Sequence, residues 1–290
     1  MVSGICNEPR TWAEGARGVR DCGIDWLTTV LTDGDAIDCA RPRMRALQQE
    51  AERNGEYRKA WGTGGHRGTA CGGIAWAEAK GSAIAQVSSQ AAVGHADVLF
   101  SLGGRLSRLD LQLTVWVDPT GPNPALEAYG ANPKNGRSGR RVSHRTLIQG
   151  SDGGVTCYMG SPQSEHRMRL YDKGVEEQSA PAGELFRWEL QSRRDWARTL
   201  GKTVEQPLSR QSAVACAVCA YSGKVGAPMP EASVPFTSIN VAARVHDAAA
   251  TLRWLKSSVS PAIRRLEDHY SRDQILKALG LAHWRSSTVE

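Results

Sequence analysis

The stretch RLDLQLTVWV, residues 108–117, decides the architecture. Successive side chains of an extended strand point to opposite faces. One face therefore carries Leu109, Leu111, Leu113, Val115 and Val117, and the other Arg108, Asp110, Gln112, Thr114 and Trp116. Two further stretches behave alike. In RMRLYDK, residues 167–173, Met168 and Leu170 alternate with Arg167, Arg169, Tyr171 and Lys173. In FRWELQSR, residues 186–193, Phe186, Trp188 and Leu190 alternate with Arg187, Glu189, Gln191 and Arg193. Each reads as a half-buried strand of an antiparallel sheet.

If the three are neighbours, their polar faces gather one phenol, two carboxylates and several cations. Three ordinary amphipathic strands give the same alternation, so both readings stand at this level. The chemistry that such a set supports is phosphodiester cleavage. Only about one phenol in a thousand is ionised at neutral pH, so tyrosine needs help to attack phosphorus. Neighbouring cations, here Lys173 and Arg169, favour the phenolate and hold a phosphate backbone. Carboxylates suit a hard divalent ion, Mg²⁺ or Mn²⁺, that polarises the phosphate. Asp172 falls on the opposite face by strict alternation.

Working outward, residues 23–31 (GIDWLTTVL) read as a strand and 42–60 as a charged surface helix. The glycine-dense 61–73 (WGTGGHRGTACGG) lacks the Gly-Lys-Ser/Thr ending of a phosphate loop and reads as hairpin turns. Residues 74–87 read as one or two strands, 105–117 as a long one, and 119–139 as a Pro/Gly/Asn-rich connection with room for a short helix. Residues 155–158 and 165–173 flank a turn with Gly160 and Pro162, a hairpin, and 185–192 is another strand. Beyond Asp195 the period turns helical, with candidates at 207–221, 248–257 and 261–270. A last short helix is capped by Ser271, with Gly280 just beyond its end. Strands followed by helices imply an α+β class with an antiparallel sheet: residues 1–200 as the catalytic part, and 201–290 as a mainly helical part packed on the same domain.

Composition excludes several classes. The 290 residues are 40% hydrophobic and 23% charged, as expected of a globular chain able to bury a core. No apolar run approaches the ~18 residues of a membrane span, and no secretory leader is visible, so the expected compartment is the cytoplasm. Seven scattered cysteines argue against a disulfide framework. Cys216 and Cys219 lack the second pair that a zinc site needs and read as buried helix packing. The net charge of +6 permits an anionic partner. Arg137, Arg140, Arg141 and Arg145 cluster, as do Arg193, Arg194 and Arg198; a solvated surface and a nucleic-acid groove both fit them. The histidines, among them His66, His95, His144, His166, His246, His269 and His283, are isolated, which excludes a His-x-His metal pair. His166 precedes the Tyr171 strand as either a ligand or an exposed turn residue. Tyr158, the rival nucleophile, lies between Cys157 and Met159 and reads as core.

The segment GSPQSEHRMRLYDK, residues 160–173, resembles the signature of the replication initiation factor family. That family includes plasmid rolling-circle initiators, related filamentous-phage replication proteins and some conjugative relaxases. SRLD at 107–110 and RWEL at 187–190 agree in order and spacing. LRWL at 252–255 followed by VSP at 259–261 is a weaker fourth match. The resemblance spans roughly residues 23–266. It implies Tyr171 as the nucleophile that keeps a 5′-phosphate as a covalent ester, assisted by Lys173. It implies Asp110 and Glu189 as ligands of Mg²⁺ or Mn²⁺, with Arg108, Arg167, Arg169 and Arg187 on the DNA. It further implies a divergent relative of the single-strand nicking nuclease fold, acting at a DNA origin with a single-stranded or hairpin nick site. Host helicase and polymerase would be partners, and a homodimer is possible. A conjugative relaxase with the same chemistry, and a basic DNA-binding protein without catalysis, are the alternatives.

Overall fold

The computed structural model describes residues 18–131, 144–228 and 260–278. The chain divides into two compact units, Met1–Val241 and Ala242–Glu290. The first is built on one ten-stranded sheet of order β2-β3-β4-β5-β1-β6-β10-β9-β8-β7. Its strands are β1 (Val19–Leu31), β2 (Lys59–Thr63), β3 (His66–Cys71), β4 (Ile74–Ala79), β5 (Ser82–Ser88), β6 (Arg105–Trp116), β7 (Arg145–Gln149), β8 (Val155–Met159), β9 (His166–Asp172) and β10 (Leu185–Arg193). Every pairing is antiparallel. The expected α+β class with a large antiparallel sheet is the observed one.

The apolar faces of the three stretches are the core. Leu109, Leu111, Leu113, Met168, Leu170, Phe186, Trp188 and Leu190 are all buried. Helices α1 (Gly34–Arg53), α2 (Gln90–Ser101), α3 (Pro124–Gly130), α5 (Arg194–Val204) and α6 (Arg210–Val225) pack on this face. Burying a Leu or Phe side chain contributes about 1.5–3 kcal/mol, so this layer carries most of the stabilisation. Helix α6 buries Val214, Cys216, Val218 and Cys219, as the helix-packing reading of the cysteine pair expects. Burial raises the thiol of Cys219 to about 11. None of the described helices is long and apolar enough to cross a membrane.

Several boundaries differ from the sequence patterns. Helix α1 starts at Gly34, because Asp33 caps it by accepting from the Ala36 N–H, and it runs through Pro42. Proline there forfeits a helical hydrogen bond. The stripe Ile37, Ala40, Met44, Gln48 and Ala51 packed on the sheet offsets that loss, and the Gln48 amide donates to the Thr69 carbonyl at 2.8 Å. Residues 59 and 60 belong to β2 instead of the helix. Helix α2 and strand β7 are not legible in the periodicity. The glycine-dense segment does form hairpin turns: Gly64, Gly65, Gly72 and Gly73 all have positive φ.

In the second unit the described helices are Ser260–Glu267 and Arg272–Ala278. Ser271 caps the latter: its Oγ accepts from the Gln274 N–H, and its own N–H donates to Gln274 Oε1 at 2.8 Å. The candidate helix 248–257, the motif 252–255, Gly280, and Arg137, Arg140 and Arg141 lie outside the described residues.

Candidate active site

Register fixes the site. Tyr171 on β9 pairs with Arg187 on β10, which pairs with Thr114 on β6, which pairs with Asp21 on β1. The next row along the strands is Arg169, Glu189, Gln112 and Gly23, and the third is Arg167, Gln191, Asp110 and Trp26. Tyr171, Glu189 and Asp110 therefore share the face opposite the helices. Paired strands lie about 4.8 Å apart, so Glu189 and Asp110 are diagonal neighbours across one pairing.

The face is densely bonded. Arg108 donates to Asp110 Oδ2 at 2.5 Å and stacks on the Trp26 ring at 4.0 Å. Arg169 donates to Glu189 Oε2 at 2.5 Å and lies 4.2 Å over the Tyr171 ring. Arg167 donates to Gln191 Oε1 at 2.5 Å, and Gln191 donates on to Glu189 Oε1 at 2.6 Å. Arg187 donates to Thr114 Oγ1 at 2.9 Å and to Asp25 at 3.2 Å. The four arginines expected on DNA are thus all engaged with side chains of the same face. Lys173 opens α4 (Lys173–Glu177), its Nζ 5.8 Å from the Tyr171 ring centre, and it pairs with Glu176 and Glu177.

Sequence reasoning missed Asp25. A β-bulge interrupts the β1–β6 register between Ile24 and Trp26. One extra residue is accommodated there, so Asp25 and Trp26 both reach the polar side while Ile24 and Leu27 stay in the core. Strict alternation cannot represent that. Asp21 joins from the same strand, accepting from Thr114 at 3.0 Å.

Burial dominates the electrostatics. Asp110 is 0% exposed and Glu189 1%. The Asp110 carboxyl is raised to about 7 by desolvation, which outweighs the attraction of Arg108, with Glu189 and Asp25 adding repulsion. Asp25 is raised for the same leading reason, Glu189 again contributing. Tyr171 is 4% exposed, and burial holds its phenol above the usual range while Arg169 and Arg187 draw it back down. Among the described residues no three of His, Cys, Asp and Glu converge as a metal ion requires. The donor chemistry nevertheless suits a hard divalent cation. Desolvation first, and the neighbouring carboxylates second, raise the cost of ionising Asp110 and Asp25, and a cation bound there would offset it.

Two sequence readings are corrected, and the placing of Asp172 opposite Tyr171 holds. Tyr158 is not core: it pairs with Arg169 and Thr146, stands half-buried on the Tyr171 face, and has the Arg167 guanidinium 5.0 Å from its ring. Cys157 and Met159, its neighbours, point into the core, so an apolar local sequence misled. His166 is neither an exposed turn residue nor near the acids. It begins β9 on the apolar face, 4.3 Å from the Trp196 ring and 5.1 Å from Tyr221. Burial, with Lys224 nearby, lowers it to about 4. Asp172 is the N-cap of α4, accepting from the N–H groups of Val175 and Gly183.

No family model and no curated protein matches the chain. Among solved structures it is similar to the rolling circle replication initiator protein from Geobacillus stearothermophilus. The two are 14% identical, the alignment covers 70% of this chain and 84% of that one, and the TM-score is 0.47.

Proposed function

We infer that the chain is a DNA-nicking and strand-transfer protein that initiates rolling-circle replication, with Tyr171 as nucleophile. One observation carries the reading: separate stretches of sequence bring a phenol, two arginines and buried carboxylates to one face, in the register of adjoining strands. The Tyr171 oxygen attacks phosphorus and the P–O3′ bond breaks. The 5′-phosphate stays on the phenol as an ester, and the 3′-oxygen leaves as a hydroxyl, taking up the proton that tyrosine gave to solvent. Arg169 and Arg187 favour the phenolate that burial disfavours. Bound at Asp110 and Glu189, with Asp25 beside them, Mg²⁺ or Mn²⁺ would supply polarisation of the phosphate. Arg108 and Arg169, which hold those carboxylates, are the cations beside this site. A plasmid initiator, a phage initiator and a conjugative relaxase share this chemistry. An origin DNA, a host helicase and polymerase, and a second copy of the chain are the partners that such a role calls for.

The test is incubation with single-stranded or supercoiled DNA and Mn²⁺. A protease-sensitive DNA adduct is expected. Equal adduct from Tyr171→Phe removes the nucleophile. A second reading draws on the complete arginine–carboxylate pairing: a face that grips DNA without cutting it. DNA binding that is indifferent to chelator, with no nicked product, selects it.

A further inference from the structure

The polar face is split at Tyr171. Toward β10, β6 and β1 its side chains are charged and bonded to one another, with Arg187, Glu189 and Asp110 buried. Toward β8 and β7 it changes character. Thr156 pairs with Tyr171 and Ile148 pairs with Thr156; Tyr158 pairs with Arg169 and Thr146 with Tyr158. These four side chains are aromatic, aliphatic or hydroxylic. Tyr158 and Thr156 are half-buried, Thr146 is exposed, and Ile148 is 53% exposed. Among the described residues strand β7 is the last in the sheet, so this half runs out to the sheet edge.

A single strand that presents a phosphate to Tyr171 must also place the bases beside it. Bases gain little over charged, ion-paired groups, which favour the phosphates. They gain by stacking on an aromatic ring and covering apolar surface, a sequence-tolerant contact common to single-strand binding surfaces. Resting on the reading of Tyr171 as nucleophile, we propose that Tyr158, flanked by Ile148, Thr146 and Thr156, is a stacking shelf for a nucleobase next to the cleaved phosphate. The Arg167 guanidinium at 5.0 Å backs the ring and is placed for the adjoining phosphate. Phosphates lie toward the arginines and bases toward β7. The strand thus crosses the sheet with a fixed side.

The experiment uses the full chain and a thymine-tract oligonucleotide carrying one 2-aminopurine. Affinity is read by anisotropy over a range of salt, and stacking by 2-aminopurine quenching. Tyr158→Phe should bind as the wild type does. Tyr158→Ala should weaken binding about tenfold and relieve the quenching, leaving the salt slope unchanged, because stacking releases no counterions. Ile148→Ser, at an exposed position that folding tolerates, should weaken binding a few-fold in the same way. Unchanged affinity and quenching in Tyr158→Ala and Ile148→Ser overturn the shelf. The adduct assay separates this from failure of the parent reading. Adduct formation by Tyr171→Phe removes the nucleophile while the quenching still tests the shelf. A wild-type chain that binds no oligonucleotide overturns both.

Discussion

The same face of the same sheet is filled in two different ways. Across β3, β4 and β5 it carries Gly68, Ala70, Ala75, Ala77, Ser82, Ile84 and one buried amide, Gln86, in register with the face of β1 that bears Thr28 and Val30. Ala75 and Ala77 are buried there at no electrostatic cost. Across β6, β10 and β9 it carries Asp110, Glu189, Arg187 and Tyr171, also buried, with Arg169 half-buried among them. Taking charges out of water costs several kcal/mol per ion before pairing offsets it, and apolar replacements of such pairs are often neutral or stabilising. The alanine half shows that this sheet can close its face with methyl groups. Stability alone does not account for the charged half, which is why it is the candidate site.

The sharpest way to break the contrast is at the phenol. Tyr171→Phe should abolish the covalent DNA adduct, scored by gel shift before and after protease, with DNA binding retained. Next come the acids: Asp110→Asn and Glu189→Gln should each lower nicking about a hundredfold. Asp110 adds a test of opposite sign. Its folded-state pKa is raised to about 7, so ionising it costs stability as pH rises from the unfolded value through 7. Asp110→Asn should accordingly melt several degrees higher than the wild type at pH 8, the gain vanishing by about pH 4. A lower Tm at pH 8 would mean that the Arg108 pair outweighs burial.

In the alanine half the dependence is purely steric. A Cβ on Gly68 would collide with the Trp76 carbonyl oxygen, so Gly68→Ala should cost about 1–3 kcal/mol in denaturant unfolding. Nicking per folded molecule should be unaffected. The smallest effect belongs beneath the sheet. His166 is held neutral down to about pH 4. The wild type should lose stability as pH falls from about 6.5 toward 4, and His166→Gln should flatten that slope in Tm measured against pH.

Much of the site was legible because strand alternation is local. Residues 108–117, 167–173 and 186–193 declare which side chains share a face within each strand, and the short motifs single out Asp110, Tyr171 and Glu189. Asp25 was hidden because a bulge shifts the period by one, and nothing in GIDWLTTVL announces it. Tyr158 was misread because its sequence neighbours are core residues, although alternation from Cys157 and Met159 puts it on the other side. His166 was misplaced because its partners, Trp196 and Tyr221, come from helices far along the chain.

The sequence by itself determined the α+β class, the core stripe and the identity of the candidate groups, since these follow from periodicity and residue chemistry. Only the tertiary structure decided which strands are neighbours, and so which acid meets which arginine and where the charged half ends. Those depend on register between segments tens of residues apart. Long-range pairing sets that register, and no local pattern encodes it.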